Sequence, residues 1–127
     1  MNISATGKRY PFVSFTVAPE RVAVFRDVFD DRDGVPVTFI TAAEFEVMPT
    51  IVDDPELGLD LARVLHGNQE YWLRRPLRVG ETLEVRAWIE SIREMRGNAF
   101  LVIATDLVGD DGEVACTARS TMIERPA

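Results

Sequence analysis

Residues 82–108 read TLEVRAWIESIREMRGNAFLVIATDLV, and this stretch decides the fold. From Thr82 to Glu90 the residue types alternate. Leu83, Val85, Ala87 and Ile89 face one way, while Thr82, Glu84, Arg86 and Glu90 face the other. A period of two is the mark of a half-buried strand. Ile92 breaks the phase, which predicts a bulge near Ser91. Gly97-Asn98 predicts a hairpin turn. Ala99 to Val108 is almost continuously apolar and reads as a central strand covered on both faces.

Working outward, Gly109-Asp110-Asp111-Gly112 turns the chain again, and Val114 to Ile123 alternates as a further strand. Upstream, Asn68 to Arg74 reads as a strand ended by Pro76 and Gly80. His66 to Glu124 thus predicts four consecutive antiparallel strands closing a meander. Before them lies a helix, Thr38 to Met48, whose Phe39, Ile40, Ala42, Ala43, Phe45, Val47 and Met48 leave little polar surface. A helix apolar nearly all round is a buried one. Thr41-Ala42-Ala43-Glu44 matches a capping box, and Pro49 is expected to end the helix. Residues 55–65 suggest another helical turn or two, with Leu57, Leu61, Val64 and Leu65 aligned. Nearer the start, Tyr10 to Val17 has strand composition. Ala18-Pro19-Glu20 opens a helix with Val22, Phe25, Val28 and Phe29 on one face, and residues 30–34, DDRDG, are expected to stop it.

The chain has 127 residues, enough for one domain with one core. It is 46% hydrophobic and 28% charged, which is a globular composition. The net charge of −7 repels phosphate backbones, so nucleic acid is not an expected partner. No run of 18 apolar residues occurs, so no membrane span is expected. The first eight residues lack the apolar core of a secretory signal, and a lone Cys116 can make no internal disulfide, so the expected location is cytoplasmic.

Several pieces resemble the MaoC-like dehydratase family, and more closely its N-terminal-domain branch, which includes the non-catalytic subunits of (3R)-hydroxyacyl-ACP dehydratases. They are Pro36-Val37-Thr38-Phe39-Ile40 before the helix and Leu65-His66-Gly67-Asn68-Gln69-Glu70 entering a strand. Others are Arg75-Pro76-Leu77-Arg78-Val79-Gly80-Glu81-Thr82-Leu83 and the hairpin Ser91-Ile92-Arg93-Glu94-Met95-Arg96-Gly97-Asn98. The order and spacing of these pieces, across residues 8–124, carry the resemblance. It implies an α+β hot-dog fold, an antiparallel β-sheet wrapped around a central α-helix, filling residues 1–127 as a single domain. The catalytic members place an aspartate and a histidine, with four residues between them, in the loop entering the central helix. One group handles the proton at the α-carbon of the thioester while the other activates or releases water at the β-carbon. Residues 30–38 here read DDRDGVPVT and contain no histidine. No catalytic residue is therefore assigned.

The resemblance and the residues together nominate a substrate-binding set: Thr38, Phe39, Thr41, His66 and Gln69. Thr38 and Thr41 fall at the helix N-terminus, where unpaired N–H groups favour a carbonyl oxygen, or where the threonines simply cap. His66 is the only imidazole; it either contacts the thioester or fixes the loop beside Gly67. Asp60 with His66 is a possible acid–base pair, but five residues separate them and both follow the helix. Cys116 reads as a small core residue. Arg74, Arg75 and Arg78 cluster around a turn, where they meet phosphates or only water. No metal-ligand or phosphate-loop motif is present, and no cofactor or metal is expected.

Two functions are compatible with this reading. One is a binding subunit for an acyl-CoA or acyl-ACP thioester, paired as a heterodimer or heterotetramer with a catalytic MaoC-like chain in an (R)-specific enoyl-thioester hydratase or 3-hydroxyacyl dehydratase. The other is a self-sufficient enzyme, working as a homodimer: either a divergent hydratase using His66, or an acyl thioesterase using Glu44 or Glu46 on the central helix. An oligomer is expected in both cases. The apolar strand 99–108, together with Trp88 on the exposed phase, offers more apolar surface than one helix covers.

Overall fold

The structure, a computed structural model, describes residues 1–29 and 34–127. Among the described residues, seven main elements occur in chain order: β1 (Val13–Thr16), α1 (Pro19–Phe29), α2 (Ile40–Val52), β2 (Val64–Leu73), β3 (Thr82–Met95), β4 (Asn98–Val108) and β5 (Val114–Glu124). The strands form one antiparallel sheet in the order β1-β3-β4-β5-β2. It wraps around α2, as the alternation and the apolar helix required.

The register shows how. Val85, Leu107, Cys116 and Leu73 align in one row across the sheet, and Ile89, Ile103, Ser120 and Gln69 in another. These rows face α2, which presents Ile40, Ala43, Glu44, Val47 and Ile51 in return. Their spacing of three and four residues puts them on one helical stripe. Leu83, Val85, Ala87 and Ile89 are all buried, as the alternation predicts. The bulge falls where expected, with the register shifting between Ile89 and Ser91. The extra residue returns Ile92 to the core side, where it is 6% exposed.

Four expectations need correction. The meander has three strands, not four: β2 pairs with β5 rather than β3. Sequence order made β3 the natural neighbour, but β2 and β3 occupy opposite sides of the β4–β5 pair. The hairpin turn is Arg96-Gly97, with Asn98 already in β4 opposite Met95. Both turn residues have positive φ, 53° and 81°, as a two-residue turn matched to strand twist demands. Arginine is strained in that region, so Arg96→Asn should stabilise the protein by about 1 kcal/mol. The urea midpoint checks this; an unchanged or lower midpoint would contradict it.

Third, α2 is longer than expected. A 3-10 turn, Val37–Phe39, leads into it, and it continues through Pro49 to Val52. Proline removes one backbone bond, to residue 45. That residue, Phe45, is on the exposed side, while Ile51 beyond the proline is fully buried. Burial of the last turn outweighs the lost bond. Fourth, no capping box forms. The helix begins at Ile40, Phe39 precedes it without a side-chain cap, and Thr41 and Glu44 turn inward.

Residues 55–65 hold a 3-10 turn, Leu61–Arg63, in place of the expected helical turns, and then the first two residues of β2. Leu57 is buried there, while Leu61 and Leu65 are exposed. β1 is four residues long, extended by an isolated bridge from Arg9 to Trp88. The Arg9 guanidinium covers the Trp88 ring at 4.9 Å on the outer face of the sheet. The N-terminal segment is tied down by Lys8 and Tyr10, both bonded to Asp54 Oδ2, at 2.7 and 2.8 Å. The helix stop read at residues 30–33 lies outside the described residues.

Candidate functional site

The polar residues on the inner face of β2 meet the one polar residue buried on α2. Gln69 and Tyr71 are two apart, so they share a face of the strand. Glu44 is 3% exposed although it is ionisable and sits in an apolar helix. The Gln69 amide nitrogen donates to both its carboxylate oxygens at 3.0 Å. The Gln69 oxygen lies 3.0 Å from His66 Nε2, which is also 3.0 Å from Ser120 Oγ. Next along the strand, the Tyr71 hydroxyl bonds Thr41 Oγ1 at 2.6 Å. A polar chain runs from the Thr41–Tyr71 pair, past Glu44, whose bond to Gln69 leads on to His66 at the surface.

Thr41 marks where this chain touches an apolar groove. The groove lies between α1 and α2, holds about 600 Å³, and is lined by Val24, Phe25, Val28, Phe39, Thr41, Ala42 and Phe45, with Glu20 and Arg21 beside them. Val24, Val28 and Phe45 are 64%, 71% and 64% exposed, so the groove is open along one side. Phe39 forms its floor and is also core. Its ring is 5.9 Å from Phe15 and packs edge-on to Phe25 at 5.4 Å.

Four of the five nominated residues gather around this region. Thr41, Gln69 and His66 join the polar chain, and Phe39 the groove floor. Thr38 is exposed in the 3-10 turn and is not among the groove-lining residues. Asp60 caps its own turn and pairs with Arg63 at 2.8 Å, whereas His66 bonds Gln69 and Ser120. The possible Asp60–His66 pair does not come together. Arg75 is held by a two-point ion pair to Glu81, at 2.7 and 2.9 Å, while Arg74 and Arg78 of that cluster are exposed. Cys116 is fully buried, and burial pushes its thiol up to about 12, so it is an inert core residue.

Sequence reasoning missed Tyr71 and Ser120. Tyr71 carried a signal, since it shares the strand phase of Gln69. Ser120 carried a fainter one, a polar residue on the inward phase between Ala118 and Met122. Its position opposite Gln69 depends on the β2–β5 pairing.

Burial lifts the Glu44 carboxyl above its ordinary value of 4.5, opposed by the bonds from Gln69 and Tyr71. The folded state then holds a proton that the unfolded chain has already released. Glu44 thus makes stability fall as pH rises from the ordinary carboxylate range through its raised folded value. Asp54 and Glu81, held down chiefly by Lys8 and Arg75, act oppositely: their stabilisation is lost as pH falls through their lowered values. Glu44→Gln removes only the first contribution. Urea midpoints from about pH 4 to pH 7 should decline less, or rise more, in Glu44→Gln than in the parent. Parallel profiles would show that Glu44 is not desolvated.

A sheet wrapped around one helix, with polar strand residues meeting that helix, defines the hot-dog class. The FAS1-like, dehydratase domain region family model matches residues 23–118. Two similar proteins are UPF0336 proteins. That of Saccharopolyspora erythraea is 31% identical, over 96% of this chain and 90% of the relative. That of Streptomyces coelicolor is 30% identical, over 98% and 95%. Among solved structures, the HadBC (3R)-hydroxyacyl-ACP dehydratase complex of Mycobacterium tuberculosis superposes with a TM-score of 0.79 at 22% identity, covering 94% of this chain and 96% of that one. The (R)-hydratase of A. caviae gives 0.66 at 16% identity, covering 95% and 96%. The chain belongs to the FAS1-like dehydratase domain family and has the MaoC-like hot-dog fold.

Proposed function

We propose that this chain binds the acyl part of a CoA- or ACP-linked thioester and serves as the non-catalytic subunit of an (R)-specific hydratase or dehydratase. The observation that carries this is the open apolar groove between α1 and α2, in a chain with no histidine in the segment entering the central helix. The groove suits an alkyl chain, because apolar walls are stabilised by giving up water. A second hot-dog chain supplies the aspartate and histidine.

The partner docks along β2. That strand is a ten-residue sheet edge, and its Leu65, Trp72 and Leu73 are 50%, 43% and 39% exposed. An unpaired edge with apolar side chains invites pairing. In the HadBC structure, a chain of similar fold belongs to a dehydratase complex, which supports this choice. Residues 1–127 act as one domain in this assembly.

Glu44 gives a second reading some support. It is turned inward beside the groove-lining Thr41, where a carboxylate could attack a thioester or activate water, as in an acyl thioesterase. Calorimetry with acyl-CoA, followed by hydration and hydrolysis assays with and without an Asp-x4-His hot-dog partner, separates the two. Hydration only with the partner supports the subunit reading. Thioester hydrolysis by the chain alone, lost in Glu44→Gln, supports the other. Absence of acyl-CoA binding overturns both.

A further inference from the structure

We propose that the cavity at the β3–β4 hairpin binds a phosphate dianion, free or as the terminal group of a small phosphate ester, through Arg96 and Arg125. The cavity holds about 280 Å³ and is lined by Arg63, Glu94, Arg96, Gly97, Glu124 and Arg125, among others. None of these residues lines the groove between α1 and α2, so this site is separate from the acyl-binding one proposed above.

The turn residue is the first sign. Arg96 has a φ of 53°, where most side chains are strained against their own backbone. The hairpin gains nothing from arginine there, because asparagine makes the same turn at lower cost. Strain retained at one residue points to a use for its side chain, and this side chain lines the cavity. The second sign is how the segment after β5 is drawn onto the hairpin. Gly97 lets Pro126 come close, its Cγ lying 3.2 Å from the place a Cβ would take. The Arg125 amide donates to the Arg63 carbonyl at 2.8 Å, and Arg63 Nη1 donates to the Arg125 carbonyl at 2.9 Å. These contacts fix the Arg125 backbone beside the turn, and its side chain joins Arg96 on the cavity wall.

The charges around the cavity are only partly matched. Arg63 is committed to Asp60 at 2.8 Å and to the Arg125 carbonyl. Glu124 is buried and accepts from the Asp60 amide at 2.8 Å and from the Met1 amino group at 3.4 Å. Among the described residues, neither Arg96 nor Arg125 has a side-chain hydrogen bond or ion pair. Glu94 offsets one of them, so the cavity keeps a positive excess in a chain of net charge −7. Two guanidinium forks from separate segments match a group with three acceptor oxygens and close to two negative charges, whereas a carboxylate fills one fork. The volume is below the ~300 Å³ at which drug-sized sites begin, so whatever carries the phosphate is small.

Calorimetry on the full chain at low ionic strength tests this, with inorganic phosphate and glycerol 3-phosphate as probes and acetate as control. Above the second phosphate pKa of about 6, the better probe should bind about tenfold or more tighter than acetate. Arg96→Asn and Arg125→Gln should each weaken it about fivefold or more, and Glu94→Gln should tighten it. Arg86→Gln, which removes an equal charge on β3 outside the cavity, should leave binding unchanged. Arg96→Asn should raise the urea midpoint at the same time, so its lost binding is not lost folding. The better probe identifies the source: glycerol 3-phosphate an ester, inorganic phosphate the free ion. Absence of binding by both probes, equal binding of acetate, or full affinity in Arg96→Asn overturns the inference.

Discussion

Purified alone, the chain should hydrate crotonyl-CoA and longer 2-enoyl thioesters at no more than a trace rate. Removing one general acid–base group typically costs about 10²–10⁴-fold, and the segment 30–38 that would carry the histidine has none. The remaining imidazole, His66, is committed to Gln69 and Ser120 rather than to a carboxylate. Adding a hot-dog partner with an Asp-x4-His pair should raise turnover by that factor or more, and His66→Ala in this chain should leave most of the gain. A steady-state assay decides. Robust turnover without a partner, collapsing in His66→Ala, would make His66 the catalyst and end the subunit reading.

Phe39→Ala should cost about 3–5 kcal/mol, the range for removing a fully buried phenylalanine. Phe39 is 1% exposed and is packed between Phe15 and Phe25, where α1, β1 and the entry to α2 converge. Phe45→Ala, on the open side of the same groove, should cost about 0.5 kcal/mol or less. Guanidinium unfolding of both variants measures the contrast. A small loss at Phe39 would mean that the groove floor collapses without penalty and is not a preformed surface. A large loss at Phe45 would place that ring in the core and remove the open wall on which the acyl reading depends.

The two residues also show why the site was only partly legible. In the sequence Phe39 and Phe45 are equivalent apolar positions of one helix. On one ideal helix, six residues at 100° each would set them 240° apart, and in the fold Phe39 ends the 3-10 turn that leads into α2. Which direction is core depends on where the sheet lies, and no local pattern states that. Pro49 shows the same limit. Locally it reads as a helix end, but the packing of Ile51 carries the helix past it.

Glu44 is the sharper example. As sequence it looked like the last residue of a capping box or a polar residue at the helix surface. Its burial makes sense only once β2 lies against α2, because Gln69 and Tyr71 come from 25 and 27 residues further along.

What the sequence determined by itself was everything with a short period. The alternation at 83–89, the phase break at Ile92, the apolar run 99–108 and the apolar helix are local signals, since solvent exposure is read residue by residue along each element. They sufficed for an antiparallel sheet around a buried helix; nominating Thr41, His66 and Gln69 also needed the family resemblance. Only the tertiary structure decided that β2 pairs with β5, that Ser120 faces Gln69, and that α1 and α2 leave a groove between them. Those outcomes depend on which elements become neighbours. Neighbourhood is settled by the joint burial of all apolar faces at once, a condition that no single segment of chain contains.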